Sequence, residues 1–149
     1  MDWHERDQYR PALRPVGRRL CAVMVCTDAS EADHVGRLLS ELNSECLVTY
    51  RRVQDLVLNA PAGPVALVIL ATDDAPQTVQ RTLAWLRRRW PHCPLTVVAD
   101  EGCGEHELAA RRGGANFLAR PVTREQWLAV LSPAAGAGAG SRAKTSQSD

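Results

Sequence analysis

Apolar residues along this chain gather in short runs, and the stretches between them repeat with a helical period. Five runs read as strands: Cys21–Cys26 (CAVMVC), Cys46–Tyr50 (CLVTY), Val65–Leu70 (VALVIL), Leu95–Val98 (LTVV) and Asn116–Ala119 (NFLA). Three of them are nearly all apolar, as parallel strands covered on both faces must be. In the first connection, Ala32, Val35, Leu39 and Leu42 make one helical stripe, and Ser30 with Asp33 suits a capping box at its start. The second, Gln54 to Asn59, has room for about two helical turns. The third carries the stripe Val79, Leu83, Leu86, with Asp74 and Pro76 at its start and Pro91 as its stop. A fourth helix is expected over Glu105 to Arg112, ending at Gly113-Gly114. A fifth is expected from about Arg124 to Leu131, with Thr123 and Gln126 spaced as a capping box.

Five alternating strand–helix units predict an α/β fold: a doubly wound five-stranded parallel sheet, order 2-1-3-4-5, with helices on both faces. In such sheets the chemistry sits at the carboxyl ends of the strands. Outside this pattern, residues 1–19 form a polar N-terminal extension with Trp3 and Tyr9 as candidate docking points. Residues 133–149 (PAAGAGAGSRAKTSQSD) lack the apolar surface to offset the entropy of ordering and are expected to be a disordered tail. The domain proper is therefore placed at 20–132.

Composition narrows the function. The 149 residues are 45 % hydrophobic and 23 % charged with a formal net charge of +1, so no global field attracts nucleic acid or an acidic membrane. The longest apolar run, Val65 to Ala71, is too short to span a bilayer. A charged start without an apolar segment behind it points to the cytoplasm. The five cysteines (Cys21, Cys26, Cys46, Cys93, Cys103) contain no C-x-x-C pair and are expected to be reduced, the strand-borne ones as small buried hydrophobes. His4, His34, His92 and His106 stand apart and suit surface or capping roles. Gly102 and Gly104 do not complete a phosphate-cradling fingerprint, since Glu107 holds its third glycine position. No enzyme, cofactor or metal site is expected from these patterns.

The run ARRGGANFLARP, Ala109 to Pro121, resembles the stretch of response-regulator receiver domains that ends in a lysine followed by a cis-proline. VALVILATDDAP resembles their third strand, which delivers the phosphoacceptor aspartate. The resemblance covers about residues 20 to 132 and implies a flavodoxin-like fold. It puts the family's acid pair on Thr27 and Asp28, the phosphoacceptor on Ala71, the switch hydroxyl on Ala99 and the lysine on Arg120, at separations of 44, 28 and 21 residues. Phe117 falls where the family keeps its switching aromatic.

Only Asp28 matches this pocket. Ala71 has no nucleophile, Ala99 has no hydroxyl, and the guanidinium of Arg120 is a planar fork in place of a compact ammonium. A stand-alone pseudo-receiver, working without phosphorylation through another signalling protein or through itself, is the expectation. A ligand-sensing regulator that binds a small molecule in the vacated pocket is the alternative. A flavin-binding protein is disfavoured because CTDASE lacks the glycine of a phosphate loop.

Three surfaces remain to be weighed. Asp73, Asp74 and Asp100 could rim the pocket with Asp28, as a displaced acceptor or a hard-cation site. The plainer reading makes Asp74 a helix cap, leaves Asp73 solvated and pairs Asp28 with Arg120. Arg81, Arg87, Arg88 and Arg89 with Trp85 and Trp90 make the third helix basic and aromatic, and a solvated face is the expected role. The face of the fourth helix, fifth strand and fifth helix would present Arg111, Arg112, Phe117 and Trp127 as a candidate interaction or homodimer surface. The spacing of Trp127 to Val130 and Leu131 also fits an inward stripe.

Overall fold

The computed structural model describes residues 21–42, 46–100, 102 and 104–136. Its elements alternate: β1 (Cys21–Val25), α1 (Ala29–Glu41), β2 (Leu47–Tyr50), α2 (Val53–Leu58), β3 (Val65–Ala71), α3 (Pro76–Arg89), β4 (Leu95–Asp100), α4 (Gly104–Arg112), β5 (Asn116–Arg120) and α5 (Arg124–Gly136). The strands form one parallel sheet in the order β2-β1-β3-β4-β5. The predicted architecture is therefore present.

Apolar strand residues supply both cores because alternate side chains leave opposite faces of a sheet. Val23, Val25, Val68, Leu70, Leu95 and Val97 meet Leu56 of α2, Val79, Leu83 and Leu86 of α3, and Ala109 and Ala110 of α4. Ala22, Met24, Leu67, Ile69 and Val98 meet Val35, Leu38 and Leu39 of α1 and Trp127 and Leu131 of α5. Each large side chain fully buried in this way contributes about 1.5–3 kcal/mol. The two faces leave the strand ends uncovered, and the site is built there.

The helix ends refine the sequence reading. Asp28, and not the Ser30–Asp33 pair, caps α1: its Oδ1 accepts from the N–H of Ser30 at 2.9 Å and of Glu31 at 3.4 Å. Asp74 does not cap α3, which opens after Ala75 with Pro76 in its first turn. The Asp74 N–H instead donates to Thr72 Oγ1 at 2.8 Å. The capping box of α5 is present, with Thr123 N–H donating to Gln126 Oε1 and Gln126 N–H to Thr123 Oγ1, at 2.9 and 3.1 Å. That helix continues through Pro133 to Gly136, so the first residues assigned to the tail are helical. Residues 1–20 and 137–149 lie outside the described residues, and with them most of both extensions, including Trp3 and Tyr9.

One turn depends on glycine. A Cβ at Gly113 would meet Leu83 Cδ1 at 2.6 Å and Leu83 Cβ at 2.9 Å, and Gly114 has φ +76°. Arg87 braces this turn from α3, donating to the carbonyls of Cys93 at 3.0 Å and Gly114 at 2.9 Å. It is thus not part of a solvated basic face. Trp90 is buried against the same core, while Arg81, Arg88 and Arg89 are exposed.

The cysteine expectation needs correction. Cys21 and Cys46 form a disulfide between the starts of the adjacent strands β1 and β2, with Cα atoms 4.8 Å apart. The registers of the two strands bring these residues together, which spacing along the chain alone does not reveal. At the far end of β2, the Tyr50 hydroxyl donates to the carbonyl of Asn59 at 2.7 Å. Cys26 and Cys93 are free and buried, as expected, and Cys103 lies outside the described residues.

Candidate functional site

The carboxyl ends of β1, β3, β4 and β5 bring together the loop Cys26–Asp28, the loop Ala71–Asp74, Ala99–Asp100 and Arg120. Parallel pairing aligns these ends: Val25 stands beside Leu70, Ala71 beside Val98, and Asp100 beside Arg120. Ala71 and Ala99 are both buried, at 5 % and 2 % exposure, so the floor beneath the loops is made of methyl groups.

Arg120 dominates the site. Its Nε donates to Glu31 Oε2 at 3.2 Å and its Nη2 to Glu31 Oε1 at 3.1 Å, a two-point contact that matches the guanidinium fork. Its Nη1 donates to Asp100 Oδ1 at 3.1 Å and lies 3.6 Å from Asp73 Oδ1. The Glu31 bonds come first among the causes that hold Arg120 firmly protonated. Asp28 is not the partner of Arg120. Its carboxylate is drawn below its ordinary range chiefly by bonds from the Ser30 hydroxyl and the backbone N–H groups that it caps.

Glu31 is the residue that sequence reasoning missed. It lies in the first turn of α1, where an acidic side chain reads as support for the helix dipole. Only the fold shows that this turn faces the end of β5. Cys26 stands beneath it, with its Sγ 3.3 Å from the Asp28 carbonyl and 3.4 Å from Glu31 Oε1. Burial pushes the Cys26 thiol up to about 11, so it stays protonated and acts as a donor.

The acidic rim separates in space. Asp73 and Asp100 meet at Arg120, whereas Asp74 turns its backbone to Thr72 and its carbonyl to His106 Nε2, 2.7 Å away. His106 thus ties the start of α4 to the loop after β3, a role its sequence surroundings do not suggest.

Receiver chemistry relies on Mg²⁺, and these side chains do not fit that ion. The carboxylates of Glu31, Asp73 and Asp100 are turned to a fixed cation, Asp28 is engaged as a cap, and Ala71 offers no oxygen. Among the described residues, no group of three His, Cys, Asp or Glu is arranged to hold a metal.

Beside this network lies a cavity of about 520 Å³ between β1, β3, α2 and α3. Val25, Leu70 and Ala71 line it together with Arg51, Arg52, Thr72, Thr78 and Thr82, and Arg120, Asp73 and Asp74 border it. Ala99 is not among its lining residues. The vacated space thus opens toward α2 and α3.

No protein-family model and no curated protein matches the chain. Solved structures do. The signal receiver domain of an HD domain-containing protein from Pseudomonas fluorescens Pf-5 superposes with a TM-score of 0.67 at 20 % identity, covering 89 % of this chain and 96 % of that one. A chemotaxis response regulator of Vibrio cholerae gives 0.64 at 16 %, covering 77 % and 98 %. A chemotaxis-regulator-like response regulator from Mesorhizobium loti gives 0.60 at 22 %, covering 76 % and 97 %. The chain has the receiver fold.

In this receiver fold the Arg120–Pro121 peptide bond is cis, as the resemblance implied. The interaction face stands differently from its expectation. Arg111 and Arg112 are exposed, and Arg111 pairs along its own helix with Glu107 at 3.0 Å. Phe117 is half-buried and packs toward the core under α3 and α4. Trp127 is only 2 % exposed and lies in the opposite core with Leu131, so it is no surface anchor. Its place on the inward stripe of α5 is the physical reason. Leu108, 47 % exposed on α4, is the apolar side chain this surface does present. Among the described residues no helix is long and apolar enough to cross a membrane.

Proposed function

We propose that this chain is a pseudo-receiver: a regulatory module of signal transduction that works without phosphorylation, by contact with another signalling protein or with a second copy of itself. The observation that carries the reading is Arg120 held by Glu31, Asp100 and Asp73 above a floor of Ala71 and Ala99. In a phosphorylating receiver that cation would be left to pair with a phosphoryl group on an aspartate. Here carboxylates already satisfy it and the acceptor position is a methyl group.

Regulation would then pass through surfaces and not through turnover, so the chain is proposed to be no enzyme. Arg111, Arg112 and Leu108 on the face of α4, β5 and α5 are the proposed contacts, with arginine supplying the anchoring chemistry. A cytoplasmic partner protein remains the proposal, without membrane or nucleic acid.

The test is incubation with acetyl phosphate and Mg²⁺ followed by intact-mass analysis. No phosphoryl group should be gained. Stoichiometric incorporation, lost on Asp73→Asn or Asp74→Asn substitution, would sink the reading. A second reading, in which the pocket senses a small molecule, is favoured by the cavity beside Arg120.

A further inference from the structure

We infer that the cavity between β1, β3, α2 and α3 binds the phosphate group of a small phosphate monoester, using Arg51 and Arg52. This deepens the ligand-sensing reading and rests on the absence of phosphoryl chemistry at Ala71. The cavity has about 520 Å³, within the range of small-molecule sites. Its walls are unequal in charge. On one side stand Arg51 and Arg52, and no carboxylate among the described residues pairs with either of them. On the other stand Asp73, turned to Arg120 at 3.6 Å while Arg120 is itself held by Glu31 and Asp100, and Asp74, whose carboxylate meets no cation among the described residues.

Two arginines without a carboxylate partner thus face one unpaired carboxylate, and the balance at the cavity is positive on the α2 side. Two guanidinium forks suit the tetrahedral oxygens of a phosphate, which they can meet through paired donors. Thr72, Thr78 and Thr82 line the same space. Thr72 Oγ1 already accepts from the Asp74 N–H, which leaves its own proton to donate. Val25, Leu70 and Ala71 make an apolar floor, so the ligand should carry a compact apolar body beside its phosphate. An aspartate at position 71 would set a negative charge on that floor; an alanine leaves it neutral. The loss that removes phosphoryl transfer therefore also makes room for a ready-made ester.

Phenyl phosphate is the probe, with inorganic phosphate and phenol as its two halves, on the full chain by calorimetric titration and thermal shift. Saturable, reversible binding of phenyl phosphate is expected, with each half binding more weakly. The exposed pair Arg51→Gln/Arg52→Gln should weaken it by about tenfold or more while leaving the unliganded melting temperature in place. No binding, or equal binding by that variant, would overturn the inference. Equal affinity for inorganic phosphate and phenyl phosphate would remove the apolar floor from it and overturn the ester assignment. Intact mass after acetyl phosphate treatment separates the two claims. A phosphorylated chain defeats the pseudo-receiver reading, whereas an unmodified chain that ignores phenyl phosphate defeats only this site.

Discussion

Arg120 at the end of β5 meets Glu31 in the first turn of α1 through two hydrogen bonds of 3.2 and 3.1 Å, between residues 89 positions apart. Both side chains are largely shielded, at 26 % and 15 % exposure, so solvent screens the pair less than a surface bridge. Glu31→Gln removes one charge and is expected to cost about 1–3 kcal/mol in urea unfolding. Asp73→Asn, whose side chain is 83 % exposed at 3.6 Å, should change stability by less than about 0.5 kcal/mol. Equal effects of the two would mean that Glu31 is not the principal partner.

Trp127 and Arg112 should separate cleanly. Trp127→Ala empties a core position beside Leu131 and is expected to destabilise by about 3–5 kcal/mol. Arg112→Ala, on the exposed end of α4, should stay within about 0.5 kcal/mol of the parent. Denaturant midpoints read both, and a mild Trp127→Ala would place that indole at the surface after all.

This contrast marks how much was legible in the chain. Strand and helix positions and the capping box of α5 followed from apolar spacing and cap chemistry, which are local signals, while the strand order followed from the usual topology of five alternating strand–helix units. The positions Ala71, Ala99 and Arg120 followed from the resemblance to receiver domains, whose separations along the chain they match. Glu31 did not, because its partner is supplied by the folded sheet and a first-turn glutamate already has a local explanation. Arg51 and Arg52 were likewise silent, being brought to the cavity only by the turn of β2 into α2. Cys21 and Cys46 became a pair only through the alignment of β1 with β2.

The free thiols predict alkaline sensitivity. Burial is the first cause that raises both Cys26 and Cys93 to about 11 from 9.0. The stabilisation tied to these protons is complete below pH 9.0. Between 9.0 and about 11 the unfolded chain has lost protons that the folded chain retains, so stability falls as pH rises. Urea midpoints across this window should decline, and less steeply in Cys93→Ala relative to its own neutral-pH value. Alkylation at neutral pH followed by peptide mapping should leave Cys26 and Cys93 unmodified in the folded protein and modify both after denaturation. Rapid labelling of the folded chain at Cys26 would contradict the buried, protonated thiol.

Reduction of the Cys21–Cys46 bridge should destabilise the fold without abolishing it. For a sequence separation of 25, restriction of the unfolded chain is worth about 3 kcal/mol. Thermal unfolding with and without a reductant, compared with Cys21→Ser/Cys46→Ser, checks the size. An equal midpoint in all three would assign the bridge no stabilising role.

That bridge has a bearing on how copies of the chain can meet. β2 is an outer strand of the sheet, and an outer strand with unpaired backbone groups invites exchange with the same strand of a neighbour. In this protein the strand is pinned to β1 at its start by Cys46 and tied at its end by the Tyr50 hydroxyl. β2 cannot be traded by itself between molecules without breaking a covalent bond, so copies of the chain that meet do so with β2 still seated in its own sheet.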